Sequence, residues 1–415
     1  MNTTIFSKSY WKLKRRQRKQ IVILLGAGAA IPWNGISSDS IKNCFIENNK
    51  YEINGKTLGK YIFEILDNYY DPNKSNFETF LATLESILNY KLSLTTEGKN
   101  IQNTSFSPSI YDLKNLINDL FDKKDDDQSR AYIYEIYTHY LNVVIDKIYE
   151  YDIQINDKKH TELNKNLIDF IKYYLSKGYS VKFYTTNYDS LVTQSISKKI
   201  PIYNGIVKYN DIEWLFDKNL EHYKLAKLSY INLHGAIYNG YKYDMGFGKY
   251  INIRKPEYYS QQLYAIGAQG GNPNEMLLYS PIITGYNKSQ RAFSEPLNIS
   301  FNAFANDCND CVGIITVGYS FSDPHINSII STLTSWNKCK FLHITIADTD
   351  NNIDKNEFSR LNEVANFINK EADENEFWMK DANERKFIYK KGFDEFLKNK
   401  SNWRIILPGN YNIQY

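Results

Sequence analysis

The chain has 415 residues, 42% hydrophobic and 23% charged, a composition typical of a globular protein with a sizeable core. Its 50 basic and 47 acidic residues give a net charge of +3, which argues against nucleic-acid binding as the main activity. Four cysteines in this length exclude a disulfide framework, and no apolar run approaches the ~18 residues of a membrane span. We therefore expect a cytoplasmic protein that makes no membrane contact.

A basic run, Lys12–Lys19, precedes the first apolar run, Ile21–Leu25. Such a run is typical of a solvated lead-in to a strand. The alternative is contact with phosphates or an acidic partner, so nucleic acid enters only as an indirect partner.

Gly26-Ala27-Gly28-Ala29 follows the strand directly. Its small residues let backbone amides approach a phosphate closely, although a tight strand–helix turn has the same pattern. Ile31 stands where a dinucleotide fingerprint has its third glycine.

The next segment, from about Thr57 to Lys177, is predicted to be almost entirely helical. Ser75 and Glu78 have the spacing of a capping box, and apolar residues then repeat at helical spacing. Two further helices are predicted at Ala131–Ile148 and Leu163–Leu175, the second ending at Lys177-Gly178. The charged run Asp122–Asp127 is interpreted as a loop.

Polar clusters end the second and third predicted strands. Thr185-Thr186-Asn187-Tyr188-Asp189 closes the strand Val181–Thr185, and its amide and carboxylate can orient a polar ligand or cap a helix. His234-Gly235 follows the strand Tyr230–Leu233. A histidine in a cleft is the natural general base near neutral pH, although a lone histidine is more often structural.

Two more strands follow, at Val312–Val317 and Phe341–Ala347. After the first of them, Gly318-Tyr319-Ser320-Phe321-Ser322-Asp323 provides a glycine turn with two hydroxyls, and an ordinary turn before a helix is the alternative. Gly267–Asn274, which contains three glycines and a proline, is predicted to be a loop. The region after Asp348 is polar and charged until Gly392–Leu397.

Apolar strands that alternate with helices predict an α/β fold: a doubly wound, Rossmann-like parallel sheet with a large inserted helical module. The expected divisions are a core of residues 1–56 and 178–350, a helical module of residues 57–177, and a C-terminal extension of residues 351–415 packed on the core. Ligands of such sheets bind beyond the carboxyl ends of the strands, where the four polar or glycine-containing loops should converge.

In this order and context the four loops resemble those of the sirtuins, over roughly residues 20–350. The forms Thr-Thr-Asn-Tyr-Asp and Gly-Tyr-Ser-Phe-Ser-Asp, and a helix with Phe77-Glu78, are similar to the bacterial sirtuin-like domains of antiphage defence systems. The resemblance implies that NAD+ binds as substrate.

The resemblance also implies residue roles. Gly26, Ala27, Gly28 and Ala29 would hold the pyrophosphate, with Thr186 beside the cofactor. Asn187 would hold the nicotinamide ribose or a water, and Asp189 the carboxamide. His234 would be the base. Gly318, Tyr319 and Ser320 would face the adenosine half.

The chain departs from protein-deacetylating sirtuins in two places. They carry a zinc module of two cysteine pairs after the His-Gly step, whereas the single Cys-x-x-Cys pair here, Cys308 and Cys311, precedes the fourth strand and cannot fill a zinc site alone. Gly35-Ile36-Ser37-Ser38 replaces the family's Asp-Phe-Arg stretch. Both losses disfavour deacylation and leave cleavage of the N-glycosidic bond of NAD+, through an oxocarbenium-like state that requires no metal.

The resemblance therefore implies an NAD+ glycohydrolase that acts as the effector of abortive antiphage defence. Such effectors commonly form homo-oligomers, and a HerA-type ATPase or another defence-system protein is the implied partner. Two alternatives stay open: a module that senses NAD or ADP-ribose without turnover, and a protein ADP-ribosyltransferase or deacylase.

Overall fold

We describe the fold from a computed structural model, which covers residues 19–69, 75–94, 126–196, 199–208, 214–244, 249–254, 264–265, 278–279, 282–284, 288, 292, 296–335, 339–347, 352–367, 377–381, 383 and 385–407. The strands in chain order are β1 (Gln20–Leu25), β2 (Glu52–Ile53), β3 (Lys56–Thr57), β4 (Ser180–Thr185), β5 (Ile206–Lys208), β6 (Trp214–Phe216), β7 (Leu228–Asn232), β8 (Asn239–Asp244), β9 (Lys249–Arg254), β10 (Tyr264–Ala265), β11 (Leu278–Tyr279), β12 (Gly313–Val317), β13 (Lys340–Ile344), β14 (Trp378–Lys380) and β15 (Lys386–Tyr389).

The helices in chain order are α1 (Ser38–Glu47), α2 (Leu58–Tyr69), α3 (Phe77–Leu94), α4 (Asp126–Asp152), α5 (Thr161–Ser176), α6 (Leu191–Ile196), α7 (Leu220–Leu225), α8 (Leu297–Asp310), α9 (Pro324–Ser335), α10 (Lys355–Ala365) and α11 (Gly392–Lys398). Short 3-10 helices cover Ala27–Trp33, Lys158–His160 and Asn402–Arg404. No helix among the described residues is both long enough and apolar enough to cross a membrane.

The predicted doubly wound sheet is confirmed. Seven strands pair in the order β14-β15-β13-β12-β1-β4-β7, and every pair is parallel except the antiparallel edge pair β14–β15. All five strands predicted from apolar runs lie in this sheet, with bounds shifted by a few residues. In β1, Ile21 and Ile23 belong to the core on one face, and Val22 and Leu24 to the core on the other. Burial on both faces explains why these strands are continuously apolar.

The three predicted helices between β1 and β4 are confirmed as α3, α4 and α5, and Gly178 ends the last of them with a φ of +81°. The loop prediction for Asp122–Asp127 is wrong at its end, because Asp126 already belongs to α4; residues 122–125 lie outside the described residues. The predicted loop Gly267–Asn274 and the basic run before Lys19 also lie outside them. The division into core, module and extension stays a prediction.

The capping prediction for α3 is wrong by one residue. Asn76 is the cap: its Oδ1 accepts hydrogen bonds from the amides of Glu78 (2.9 Å) and Thr79 (3.1 Å), and Thr79 Oγ1 accepts from the Asn76 amide at 2.9 Å. The hydroxyl of Ser75 is instead engaged by Lys42, at 2.7 Å. The capping-box spacing is therefore present, but it begins at Asn76 and frees the Glu78 carboxylate for another contact.

Candidate functional site

The carboxyl ends of β1 and β12 lie side by side in the middle of the sheet. From β1 the chain adds β4 and β7 on one side and then crosses to add β12 on the other, so the strand order reverses between β1 and β12. Ligands of doubly wound sheets bind in the crevice beyond the carboxyl ends at such a reversal. The fold therefore places the candidate site at the loops that begin at Gly26 and Gly318, where Ala27 is exposed.

The two glycine loops pack directly against each other. A Cβ added at Gly26 would lie 2.5 Å from the carbonyl oxygen of Gly318, and one added at Gly28 would lie 2.8 Å from Gly318 Cα. The amides of Gly26 and Gly28 donate to the carbonyls of Val317 (2.9 Å) and Gly318 (3.0 Å), and the amide of Ala29 donates to that of Gly26 (2.9 Å). These are the contacts expected if the glycines serve a tight turn between strand and helix. Because glycine has no side chain, the two backbones can approach each other closely.

Replacing Gly318 by alanine is expected to lower the free energy of unfolding by about 3 kcal/mol. Its φ is +53°, and a Cβ there would lie 2.4 Å from backbone atoms of Gly28. Gly178 is the matched control, because its φ is also positive but nothing lies within 4 Å of its added Cβ. Gly178→Ala should therefore cost only about 1 kcal/mol. Denaturant unfolding measures both; equal losses would contradict the packing account.

The Thr185–Asp189 loop joins the glycine loops. Asn187 Nδ2 donates to the Gly26 carbonyl at 3.0 Å, and Asn232 Nδ2 donates to the Asn187 carbonyl at 3.1 Å. The amide of Thr186 donates to the Leu25 carbonyl at 3.0 Å. Asn187 and Thr186 are half-buried. Nδ2 of Asn187 donates to the Gly26 carbonyl. Oδ1 of the same side chain therefore points away from that bond and is left as a hydrogen-bond acceptor.

Asp189 is fully buried, and protein groups hold its carboxylate. The hydroxyl of Tyr230 (2.8 Å) and the amide of Leu191 (3.0 Å) donate to Oδ1, and the hydroxyl of Tyr151 (2.6 Å) donates to Oδ2. The Leu191 bond serves the first turn of α6, as in the helix-capping alternative. The carboxylate presents no exposed atom for the carboxamide contact implied by the resemblance; it fixes the loop against α4.

A second carboxylate from α4 holds the same loop. Asp152 Oδ1 accepts from the amide of Ser190 at 2.7 Å, and its Oδ2 accepts from the hydroxyls of Ser190 (2.9 Å) and Tyr238. Burial and the nearby charge of Asp189 raise the pKa of Asp152 to about 6. The position of the loop after β4 therefore depends on the end of α4, a helix of the segment between β1 and β4.

Asp189→Ala is expected to lower the free energy of unfolding by about 3 kcal/mol, because two buried tyrosine hydroxyls, of Tyr151 and Tyr230, lose their acceptor. Asp189→Asn retains one acceptor oxygen, and the hydroxyl of Tyr151 can accept from the new amide. We expect the asparagine variant to lose about half as much. Thermal and denaturant unfolding compare the two; a larger loss for asparagine than for alanine would contradict this role.

His234, at the end of β7, is 1% exposed and lies in a cluster of charged and ring side chains. Its Nε2 is 3.2 Å from Nε2 of His325 and 4.0 Å from Oδ1 of Asp323. Lys288 Nζ is 3.4 Å from the same Asp323 oxygen and also forms an ion pair with Glu78 of α3. The cluster thus joins β7, the start of α9 and the start of α3.

The environment of this cluster decides its protonation. Burial lowers the pKa of His234 to about 3, against the opposing effect of Asp323. Burial also lowers the pKa of the His325 ring. For Lys288, burial favours the neutral amine, but the charges of Glu78 and Asp323 prevail and raise its pKa above the usual value. At neutral pH both rings are therefore neutral and Lys288 is a cation.

One ring nitrogen of His234 is assigned by its partners. The backbone of Thr186 hydrogen-bonds the His234 ring in the sense that raises its pKa, so the ring donates to the carbonyl. Because Nε2 faces His325, we assign this bond to Nδ1. Nε2 of the neutral ring then carries the lone pair that a base needs, and the low pKa of the ring makes it a weak proton acceptor.

In the loop after β12, one predicted site residue, Tyr319, is buried and another, Ser320, is exposed. Tyr319 is 2% exposed, and its hydroxyl donates to Asn327 Oδ1 at 3.0 Å, so it supports the loop from inside. Ser320 is exposed; its hydroxyl is 3.1 Å from that of Ser322, and its carbonyl accepts from Arg360 at 3.2 Å. A cavity of about 570 Å³ is lined in part by Ser322, Asn327 and Arg360.

Sequence reasoning missed the partners of His234. His325 follows Asp323 by two residues, at the start of α9, and that spacing was the only available signal. Lys288 offered none, because its two acidic partners are 35 and 210 residues away in the chain. Glu78 belonged to the helix quoted for the resemblance, but its contact across the site depends on the fold.

Three of the four cysteines lie at the opposite end of the sheet. Cys311 lies two residues before β12 and Cys339 directly before β13, and the contact between the two thiols raises the pKa of Cys311 and lowers that of Cys339. Cys308 is buried at the end of α8, and burial raises the pKa of its thiol. All three are free thiols far along the strands from the crevice.

Comparisons with known proteins give one family match. Residues 181–366, from β4 to the end of α10, match the family model described as a SIR2-like domain. This match supports a SIR2-like domain in that part of the chain. A comparison with curated protein sequences gave no significant match.

The solved structures to which this chain is similar include three at 13% identity. They are a mutant Sir2 homologue in complex with ADP-ribose (TM-score 0.37, covering 98% of this chain and 100% of that one), Sir2Tm bound to a propionylated peptide (0.32, covering 86% and 97%), and a structure described as the structural basis of sirtuin substrate affinity (0.32, covering 98% and 100%).

Proposed function

We propose that this chain is an NAD+ hydrolase that releases nicotinamide and ADP-ribose, with its active site at the crevice between β1 and β12. The observation that carries the proposal is the continuity of the four loops. Gly318 packs on Gly26 and Gly28, Asn187 binds Gly26, and the amide of Leu233, next to His234, donates to the Thr185 carbonyl at 2.8 Å. A match to a SIR2-like domain over residues 181–366 supports NAD+ as the ligand of this site.

In the proposed reaction, the bond between the nicotinamide nitrogen and the ribose carbon breaks, and nicotinamide leaves as a neutral ring. The ribose passes through an oxocarbenium-like state, which a water molecule attacks. The water's proton goes to His234 Nε2, which burial keeps unprotonated at neutral pH, and then to solvent. Asn187 Oδ1 orients the water or a ribose hydroxyl, because Gly26 holds its nitrogen.

Asp189 acts in this proposal as a positioning residue. It fixes the loop that carries Asn187, through Tyr151 of α4 and Tyr230 of β7. Gly318 and Ser320 would lie along the adenosine half of NAD+, with Ser320 exposed to it. These assignments follow the sequence expectation except for Asp189 and Tyr319, whose buried side chains are held by protein groups in this conformation.

We further propose that NAD+ depletion makes this chain an effector of antiphage defence, in a homo-oligomer and with a HerA-type ATPase or another defence-system protein as its partner. The support is the sequence resemblance of the Thr185–Asp189 and Gly318–Asp323 loops. Sedimentation of the purified chain at micromolar concentration tests the assembly; a stable monomer would count against it.

The activity is tested by incubating the purified chain with NAD+, alone and with a candidate ATPase partner, and separating the products by chromatography. A hydrolase gives equal amounts of nicotinamide and free ADP-ribose. Nicotinamide without free ADP-ribose, together with ADP-ribose on protein, would instead show a transferase. Bound but intact NAD+ in both conditions would show a sensor, and would overturn the proposal.

A further inference from the structure

His234, Asp323 and His325 place three metal-ligating atoms within 4.8 Å of one another. The two Nε2 atoms face each other at 3.2 Å. Two nitrogens bound to one tetrahedral zinc ion, each at about 2.0–2.1 Å, are about 3.3 Å apart. The two rings therefore already have the separation that a shared ion requires, whereas the Asp323 oxygen, 4.0 Å from His234 Nε2, must move inward by on the order of 1 Å.

We propose that His234, His325 and Asp323 form a binding site for a divalent transition-metal ion of the zinc type, with the ion held by both Nε2 atoms and one carboxylate oxygen. Two imidazoles and one carboxylate suit such ions better than Mg²⁺ or Ca²⁺, which prefer oxygen ligands alone. Three protein ligands leave one tetrahedral position for a water molecule or another ligand.

The surroundings of the three ligands support this site. Lys288 forms ion pairs with both Asp323 and Glu78. Its ammonium group therefore keeps one carboxylate partner, Glu78, when the Asp323 side chain turns toward an ion.

The charges in the cluster also favour a cation. Among the described residues, the carboxylates of Glu78 and Asp323 form ion pairs with a single ammonium group, that of Lys288. One negative charge therefore remains in a largely buried space. An added cation offsets this charge, and the two ring nitrogens displace its water at little cost because they lie at the required spacing.

The ion would take the lone pair of His234 Nε2, the same lone pair that accepts the proton in NAD+ cleavage. Resting on the proposed function, we therefore infer that the metal-bound state is inactive and that zinc inhibits the enzyme by occupying its base. Metal binding itself does not depend on that activity.

The test begins with chelator-treated full-length protein titrated with Zn²⁺ alone by calorimetry, and with Co²⁺ followed by visible absorption. One ion should bind per chain. His325→Ala should weaken binding at least tenfold, as should Asp323→Asn. The matched control is His222→Ala, because the exposed His222 also lies against a carboxylate, that of Asp217 at 2.6 Å, but outside the cluster. It should bind as wild type does.

Stoichiometric binding that His325→Ala leaves unchanged, or no binding at all, would overturn the proposal. If Asp323→Asn fails to fold, His325→Ala still decides, because His325 is only half-buried. In the second measurement, Zn²⁺ should inhibit nicotinamide release, and His325→Ala should need at least tenfold more zinc for half-inhibition relative to its own zinc-free rate. Zinc binding without NAD+ cleavage would reject the proposed function and keep the metal site.

Discussion

Nicotinamide release by His234→Ala is expected to fall at least about 100-fold below that of the wild type, because the variant has no base to accept the proton of the attacking water. Asn187→Ala should lose a comparable factor through misplaced water. Both losses should appear in kcat, with KM changed little, since neither side chain is assigned the main contacts to the nucleotide.

His222→Ala is the control for this comparison, because it removes a histidine from the surface near Asp217 without touching the crevice. Unfolding curves of all three variants establish that they are folded under the assay conditions. Retention of more than about a tenth of the wild-type rate by folded His234→Ala would remove His234 from the role of general base.

Acid is expected to destabilise the wild type through His234, and His234→Asn should remove most of that effect. The ring has a pKa of about 3 in the folded chain, against about 6.5 unfolded. At pH values between these two pKa values the unfolded state binds more protons than the folded state. The free energy of unfolding therefore has its full value above pH about 6.5 and decreases as the pH falls below it. The difference between the folded and unfolded pKa of His234 corresponds to a change in the free energy of unfolding on the order of 5 kcal/mol.

Asp152 provides a control of opposite sign. Its folded pKa of about 6 lies above the unfolded value of 3.8, so the folded state binds more protons between them and this group adds stability as pH falls from about 6. Denaturant unfolding from pH 8 to 4.5 should therefore show a weaker loss in acid for His234→Asn and a stronger loss for Asp152→Asn. Parallel pH profiles for wild type and His234→Asn would contradict the buried neutral ring.

The sheet was predictable wherever burial on both faces produces a continuous apolar run, as in Ile21–Leu25 and Val312–Val317. It was not predictable at β14 and β15, which the sequence analysis left within a polar region. β15 begins with Lys386, a largely buried lysine whose Nζ donates to the carbonyls of Ala365 and Asn366. Hydrogen bonds to distant carbonyls make this lysine compatible with a buried strand, and no local pattern reveals them.

The site was predictable as a set of strand ends but not as a set of contacts. Parallel strands bring their carboxyl ends to one edge, so Asn187, His234 and Gly318 could be grouped from the sequence alone. The burial of Asp189 under Tyr151 depends on how α4 packs on the sheet, and the pairing of His234 with His325 depends on the crossover from β7 to β12. Both are tertiary relations between residues 38 and 91 positions apart.

Amide hydrogen exchange with and without ADP-ribose tests the central claim, that the crevice between β1 and β12 is the ligand site. ADP-ribose is the proposed product, so it remains intact during the measurement. Our account predicts slower exchange in the three loops at Gly26–Gly28, Thr185–Asp189 and Gly318–Asp323, and little change at the opposite end of the sheet near Cys311. Protection confined to other segments, or none at a concentration where binding is saturated, would contradict it.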